Sequence, residues 1–352
     1  MKHQSLLKWC MALLLTVVSY STGYCAKAIR TISLDGIHYT LRDDMTAVVV
    51  GYDEDSVLKD IVIPDKVDES YDVVAIGSGA FLGCINLLSV EMNSVTSIGE
   101  RAFEGVFMQS VVMNNVTSIG SMAFYMCQIL RSVEMNNVIT IGRQAFDTCY
   151  QLQLVEINSV TSISEWAFKH CCSLQSVKMN SVTSIGDMAF FDCCSLQSVE
   201  MNNVITIGDY AFGACPYLQS VEVNSVTSIG NRAFTGCTTL KEVICCAQTP
   251  PSAVTDSFDE STYKDATLYV PVGTRNAYFF DPVWGLFENI VESEELTNGV
   301  GDVMVENIDG PVSVYDLQGI QRYHGERDAM PTLPRGVYII RTANGKAEKV
   351  KL

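Results

Sequence analysis

The sequence predicts a repeat solenoid of α/β type: about eight 22-residue units sharing a curved parallel sheet, β-rich caps at both ends and a small C-terminal β-sandwich-like domain. Three observations predict it. Ile98, Ile119, Ile141, Ile163, Ile185, Ile207 and Ile229 recur at spacings of 21 or 22 residues, with Ile76 as an earlier copy, and a fixed period of this size marks stacked turns of chain. Ala-Phe follows in every copy, at Phe81, Phe103, Phe124, Phe146, Phe168, Phe190, Phe212 and Phe234. Leu130, Val133 and Met135 exemplify the spacing L-x-x-V-x-M, in which the apolar residues face inward and those between point outward, as in a strand.

Composition agrees. Of 352 residues, 48% are apolar and 18% charged, the reverse of a disordered chain, so most of the molecule buries a core. A formal charge of −17 without a basic run argues against nucleic acid as a partner, because phosphate affinity needs clustered Lys and Arg.

Residues 1–28 read as a signal peptide: Lys2 and Lys8 lead into the apolar stretch Met11 to Val18, with small residues at Ala26 and Ala28. The apolar core is shorter than the ~20 residues of a spanning helix. Cys25 invites a lipoprotein reading, but Tyr24 precedes it where a lipobox has a small residue. Cleavage removes Lys2, Lys8 and Lys27 and no acid, leaving 20 basic against 40 acidic residues, a net −20. Residues 29–75 form the N-terminal cap, a hairpin around the polar turn Arg42 to Asp44 followed by the strand IVIPDKV.

The repeats run over residues 76–246. A unit such as IGRQAFDTCYQLQLVEINSVTS cannot close a core alone, and identical apolar register in every copy is explained if neighbours share one interior. All eight Phe are expected inside. The Gly after each Ile can supply a turn, and Ala-Phe then Cys suit an irregular or short helical return. Asn93, Asn114, Asn136, Asn158, Asn180, Asn202 and Asn224 form a column after the strand, read as a structural ladder in which amides both donate and accept. Val106 in place of Cys, Ser164 in place of Gly and a second copy one residue short are the departures.

The pattern of Ile-Gly, Ala-Phe, Cys, Leu and Val across Ile76 to Cys246 resembles the BspA-like branch of leucine-rich repeats. The resemblance implies a right-handed curved solenoid, its parallel sheet on the concave side, in bacterial surface or secreted proteins that engage host or neighbouring-cell molecules. Residues 247–292 lose the period but keep Phe258, Leu268, Val270 and Trp284, and resemble the terminal unit that closes such arrays. Residues 293–352 open with an acidic, Gly-containing linker; the segments VYDLQG, LPRGVYII and the lysine-bearing final strand resemble the C-terminal sorting domain of type IX secretion substrates. That resemblance implies passage across an outer membrane and recognition by secretion machinery. A small β domain that only packs is the alternative.

Thirteen Cys less Cys10 and Cys25 leaves an odd eleven. Cys84, Cys127, Cys149, Cys171, Cys193, Cys215 and Cys237 form a column that suits a small buried hydrophobe. Strands ~4.8 Å apart also permit pairing; Cys172 and Cys194, one rung apart and additional to the column, form the possible disulfide. No C-x-x-C with a partnering pair is present, so neither metal nor cofactor is expected. His170 beside Cys171 is not read as a dyad, since Cys171 belongs to the core column. GSGAFLG from Gly77 is the first repeat copy and not a dinucleotide loop. The acids Asp43, Asp44, Asp53, Glu54 and Asp55 read as solvated turn residues.

The outward strand face carries Ser132, Glu134, Glu156, Ser176, Lys178, Ser198, Glu200, Ser220 and Glu222, an acidic rail with one internal counter-ion. The expected protein is a monomeric, non-catalytic binder, secreted or attached to the outer-membrane surface, whose partner is an extracellular protein or glycoprotein met by this face. The alternatives are a structural surface-layer scaffold and a recognition module associated with a secreted hydrolase.

Overall fold

The computed structural model describes residues 26–294 and 296 and the strands Pro311–Asp316, Gln321–Glu326, Val337–Thr342 and Ala347–Lys351. The signal peptide as far as Cys25, and most of the acidic linker, lie outside the described residues. The chain divides into two compact units, residues 1–149 and 150–352, and within each the repeats form a parallel β-solenoid with almost no helix.

In the first unit Ala28–Leu34, Ile37–Arg42 and Thr46–Tyr52 pair antiparallel, the last two joined across residues 43–45. Thr46–Tyr52 then pairs parallel with Tyr71–Ile76, and from there each repeat adds a two-residue strand: Ser97–Ile98, Ser118–Ile119, Thr140–Ile141. A second parallel ladder stacks Asp60–Ile63, Ser89–Met92, Ser110–Met113 and Ser132–Glu134. Each turn of chain therefore contributes two strands, of which only the longer carries a strand pattern in sequence.

The second unit repeats the scheme. Leu154–Ile157, Ser176–Met179 and Ser198–Glu200 form one ladder, and Ser162–Ile163, Ser184–Ile185, Thr206–Ile207 and Ser228–Ile229 the other. Ser220–Glu222, Glu242–Ile244, Thr267–Pro271 and Asn289–Ser293 continue the parallel pairing after the period ends. Two short helices, Glu260–Asp265 and Arg275–Phe279, lie between the last of these strands. The described strands near the C-terminus form one four-stranded antiparallel sheet.

Register passes from copy to copy without slipping: Ile119 lies opposite Ile98 and Ile141, and Met113 opposite Met92. The residue missing from the second copy falls between Val106 and Met108, in the turn before the strand, where losing it leaves the pairing intact. All eight Phe rings are fully buried. In the first unit Phe81, Phe103, Phe124 and Phe146 stack at 5.0–5.2 Å with planes within 9° of parallel; in the second, Phe168 through Phe234 stack at 5.3–5.5 Å. Each such pair adds about 0.5–1.5 kcal/mol to the burial of the rings.

The returns are runs of turns and not helix, and the backbone shows why. The second residue after each Gly position is left-handed: Arg101, Met122, Gln144, Trp166, Met188, Tyr210 and Arg232 have φ between 52° and 61°. So is the residue before each column Cys, as at Met126, His170, Asp192 and Ala214. A left-handed residue ends an α-helix and costs roughly 1–2 kcal/mol in any L residue but Gly. Rung-to-rung hydrogen bonds hold it: Met122 N–H donates to Arg143 O at 2.8 Å, Met188 N–H to Asp209 O at 2.8 Å and His170 N–H to Phe191 O at 2.9 Å.

The conserved-looking Gly does different work from the turn expected of it. It is not left-handed; a Cβ on Gly142 would stand 2.4 Å from Ser121 N and 2.5 Å from Gly120 C. Gly suits the position because successive backbones approach closely there, although Ser164 fills it in one rung.

Candidate functional site

The strand face is built from the core outward. Val155, Val177, Val199 and Met179 point inward and are buried, so the residues between them are held outward by the alternation of the strand. In the second unit Glu156, Lys178 and Glu200 fall in register on consecutive rungs and are exposed. Lys178 Nζ lies 3.6 Å from Glu200 Oε1. An exposed pair of this kind stabilises by ~0–1 kcal/mol, so its main effect is to break the repulsion along the rail. Leu154, Ser176 and Ser198 form the neighbouring column in the same register, with Leu154 48% exposed.

Not every expected face residue joins this group. Ser132 and Glu134 lie in the first unit, exposed and opposite Ser110 and Val112. Ser220 and Glu222 lie on the rung after Ser198–Glu200, where Gln219 N–H donates to Gln197 O, and face Glu242 and Ile244 on the other side.

The Asn column makes amide-to-amide bonds from Asn114 Nδ2 to Asn93 Oδ1 at 2.7 Å and from Asn180 Nδ2 to Asn158 Oδ1 at 3.0 Å. Sequence reading missed the column that follows it. Asn137 Nδ2 donates to Asn114 O, Ser181 Oγ to Asn158 O, Asn203 Nδ2 to Asn180 O and Ser225 Oγ to Asn202 O. The available signal was that this position is always Ser or Asn, both able to reach a backbone carbonyl.

None of the eleven Cys among the described residues is in a disulfide. The column thiols donate to the carbonyl of a Phe in the preceding rung, as from Cys127 Sγ to Phe103 O at 3.1 Å and Cys237 Sγ to Phe212 O at 3.2 Å. Burial pushes both thiols up to about 12, which keeps them protonated and unreactive. Cys172 and Cys194 are half-buried thiols with sulfurs 3.2 Å apart. Among the described residues, the group of donors close enough to share a metal ion is Cys172, Asp192 and Cys194. A search for motifs within one stretch of chain could not find it, since these residues come together only by stacking.

The turn acids are engaged locally: Asp43 accepts from Lys27 N–H, Asp44 from Thr46 and Asp53 from His38 Nε2 at 3.0 Å. A cleft of about 610 Å³ in the second unit is lined by Tyr210, Arg232, Asp256, Asp259, Tyr263 and Lys264. Arg232 donates to the Tyr210 hydroxyl at 2.8 Å, and the Thr235 hydroxyl, also in the lining, to Asp259 Oδ1 at 2.7 Å. Among the described residues no helix is long and apolar enough to cross a membrane.

A family model described as the BspA type leucine rich repeat region matches residues 52–174 and 161–280, in six copies. No curated protein matches the chain. Among solved structures, a leucine rich repeat protein of T. pallidum is 28% identical, covering 60% of this chain and 91% of its own at a TM-score of 0.44. A leucine rich cell surface protein of Faecalibacterium prausnitzii is 22% identical, covering 78% of this chain and 98% of its own at 0.29. A leucine-rich repeat protein of Bacteroides ovatus is 19% identical, covering 60% and 94% at 0.21.

Proposed function

Because the chain belongs to the BspA-type leucine-rich-repeat family, we propose that it is a bacterial protein-binding scaffold, exported and displayed at the cell surface, that performs no catalysis. The partner is an extracellular protein or glycoprotein presenting an extended basic segment. The observation that carries this reading is the row Glu156, Lys178, Glu200, exposed on successive strands. Stacked Phe rings fix its spacing before any ligand arrives, so little ordering entropy is lost on binding. Complementary charge steers the encounter, with affinity spread over many weak contacts.

Export rests on the N-terminal apolar stretch and the type IX-like tail. The described strands of that tail make a sheet of their own, as a separately recognised domain requires.

The test is capture of extracellular proteins by the mature chain beside a variant reversed at Glu134, Glu156, Glu200 and Glu222. Capture that is saturable, weakened by salt and lost in the variant supports the reading. Equal capture by both removes this face, and no capture by either favours the surface scaffold.

A further inference from the structure

The array departs from its own template at one place in two columns at once. Only the rungs of His170 and Asp192 put a titratable side chain before the column Cys and a second Cys after it. The other rungs have Gly, Met, Thr or Ala before and Ile, Phe, Gln, Tyr, Pro or Thr after. The two departures fall on neighbouring rungs, which makes them meet. Cys194 Sγ lies 3.2 Å from Cys172 Sγ and 3.3 Å from Asp192 Oδ1, and one donor atom from each residue fits within 4.8 Å of the others. His170 Nε2 lies 3.8 Å from Asp192 Oδ2.

The frame beneath the cluster is fixed. His170 and Asp192 are both left-handed, φ 58° and 57°, and their N–H groups donate to Phe191 O and Gly213 O at 2.9 and 2.8 Å. The four side chains are half-buried or exposed to a similar degree, with His170 31% and Asp192 38% open to solvent, so an ion can enter while the surrounding rungs stay stacked. Two sulfurs and a carboxylate form a donor set for a borderline-soft divalent ion, whereas calcium and magnesium take oxygen alone.

We propose that Cys172, Cys194 and Asp192 form a zinc-class metal site across two adjacent rungs, with His170 orienting the Asp192 carboxylate and a fourth position open to solvent. On binding, each thiol releases its proton to water as its sulfur takes the metal. Two ~2.3 Å bonds at a tetrahedral angle set the sulfurs about 3.8 Å apart, so they separate by roughly half an ångström, a side-chain adjustment. A metal here would clamp one rung to the next. The site stands apart from the binding face and does not depend on it.

The test is titration of the reduced, metal-free mature chain with zinc against a chromophoric chelator, and with cobalt(II) read by thiolate-to-cobalt charge-transfer absorption. One equivalent is expected to bind. C172S and C194S are expected to weaken zinc by about 100-fold or more and D192N by about 10-fold, in line with the loss of direct ligands; H170A should cost about 10-fold, as outer partners of metal ligands do. C246S, a half-buried thiol elsewhere, should change nothing. D192N and H170A leave both sulfurs in place and so report on the site even if a Ser variant misfolds. Zinc uptake no tighter than in the C172S/C194S double variant, or a cobalt spectrum without the charge-transfer band, overturns the proposal. Recovery of the pair only as a disulfide that takes no metal after reduction overturns it as well.

Discussion

The aromatic columns of the two units close differently. In the first unit the column opens with Tyr52, stacked 6.1 Å from Phe81 and 18° from parallel, a half-buried ring with a polar end. In the second unit Phe258 continues the stack, 5.0 Å from Phe234 and 7° from parallel, and is then met edge-on by Tyr263, Trp284 and Phe287 at 64–71°. Parallel rings leave an equivalent face open for the next copy; edge-on rings leave none. The C-terminal segment also copies the repeat's backbone bonds in other chemistry. Ala214 N–H donates to Thr235 O at 2.7 Å, and at the equivalent place Gly236 N–H donates to Asp259 Oδ2 at 2.6 Å. A carboxylate takes the carbonyl's place here, while Asp256 O and Ser257 O still accept from Arg232 and Phe234 N–H as in the repeats. Capping thus needs the repeat's acceptors, not its sequence.

The comparison breaks most visibly in its interior. Phe190→Ala should cost about 3–5 kcal/mol in denaturant unfolding, since a buried ring with a neighbour on each face leaves a cavity. Tyr52→Ala, with one stacking face and a half-exposed ring, should cost clearly less; equal losses would mean that the stack does not propagate. Trp284→Ala removes the edge-on closure and the indole bond to Pro251 O, and hydrogen exchange should show opening confined to the last rungs. Asp259→Ala should cost about 1–3 kcal/mol, because Gly236 N–H and the Thr235 hydroxyl lose their acceptor. Asn180→Ala should cost ~0.5–1.5 kcal/mol, the worth of one ladder bond.

The smallest effect at neutral pH belongs to the thiols. Cys127 and Cys237 hold their protons to about 12 in the folded chain against an ordinary 9.0. Between those values the unfolded chain binds fewer protons, so stability falls as pH climbs from about 9 towards 12. At pH 7 no difference is expected. Native alkylation should label Cys172 and Cys246 while sparing the column, and labelling of Cys127 before unfolding would sink this account.

The buried rows were legible because each is repeated: Phe124, Val133 and Ile141 announce their register by recurring, and apolar content at a fixed offset has few other causes. The two-residue strands such as Ser118–Ile119 were not, being too short for alternation to show. The helical alternative for the returns survived in sequence because Met122, Gln144 and Trp166 give no sign of being left-handed; nothing in those side chains asks for it. Of the outward face, the alternation exposed Glu156, Lys178 and Glu200 in advance. Their shared register, and the pairing of Ser220 and Glu222 with Glu242 and Ile244, came from the structure.

The sequence by itself determined that the chain stacks, which side chains line its interior and where the period stops, because identical residues at a constant interval can bury themselves only against their own copies. Tertiary structure alone decided how closely the backbones approach at Gly142, which residues accept left-handed strain in exchange for rung-to-rung hydrogen bonds, and that His170, Cys172, Asp192 and Cys194 become neighbours. The reason is one of distance: residues a full turn of chain apart acquire a relationship only when the turn closes, and its closure is set by the summed packing of every rung.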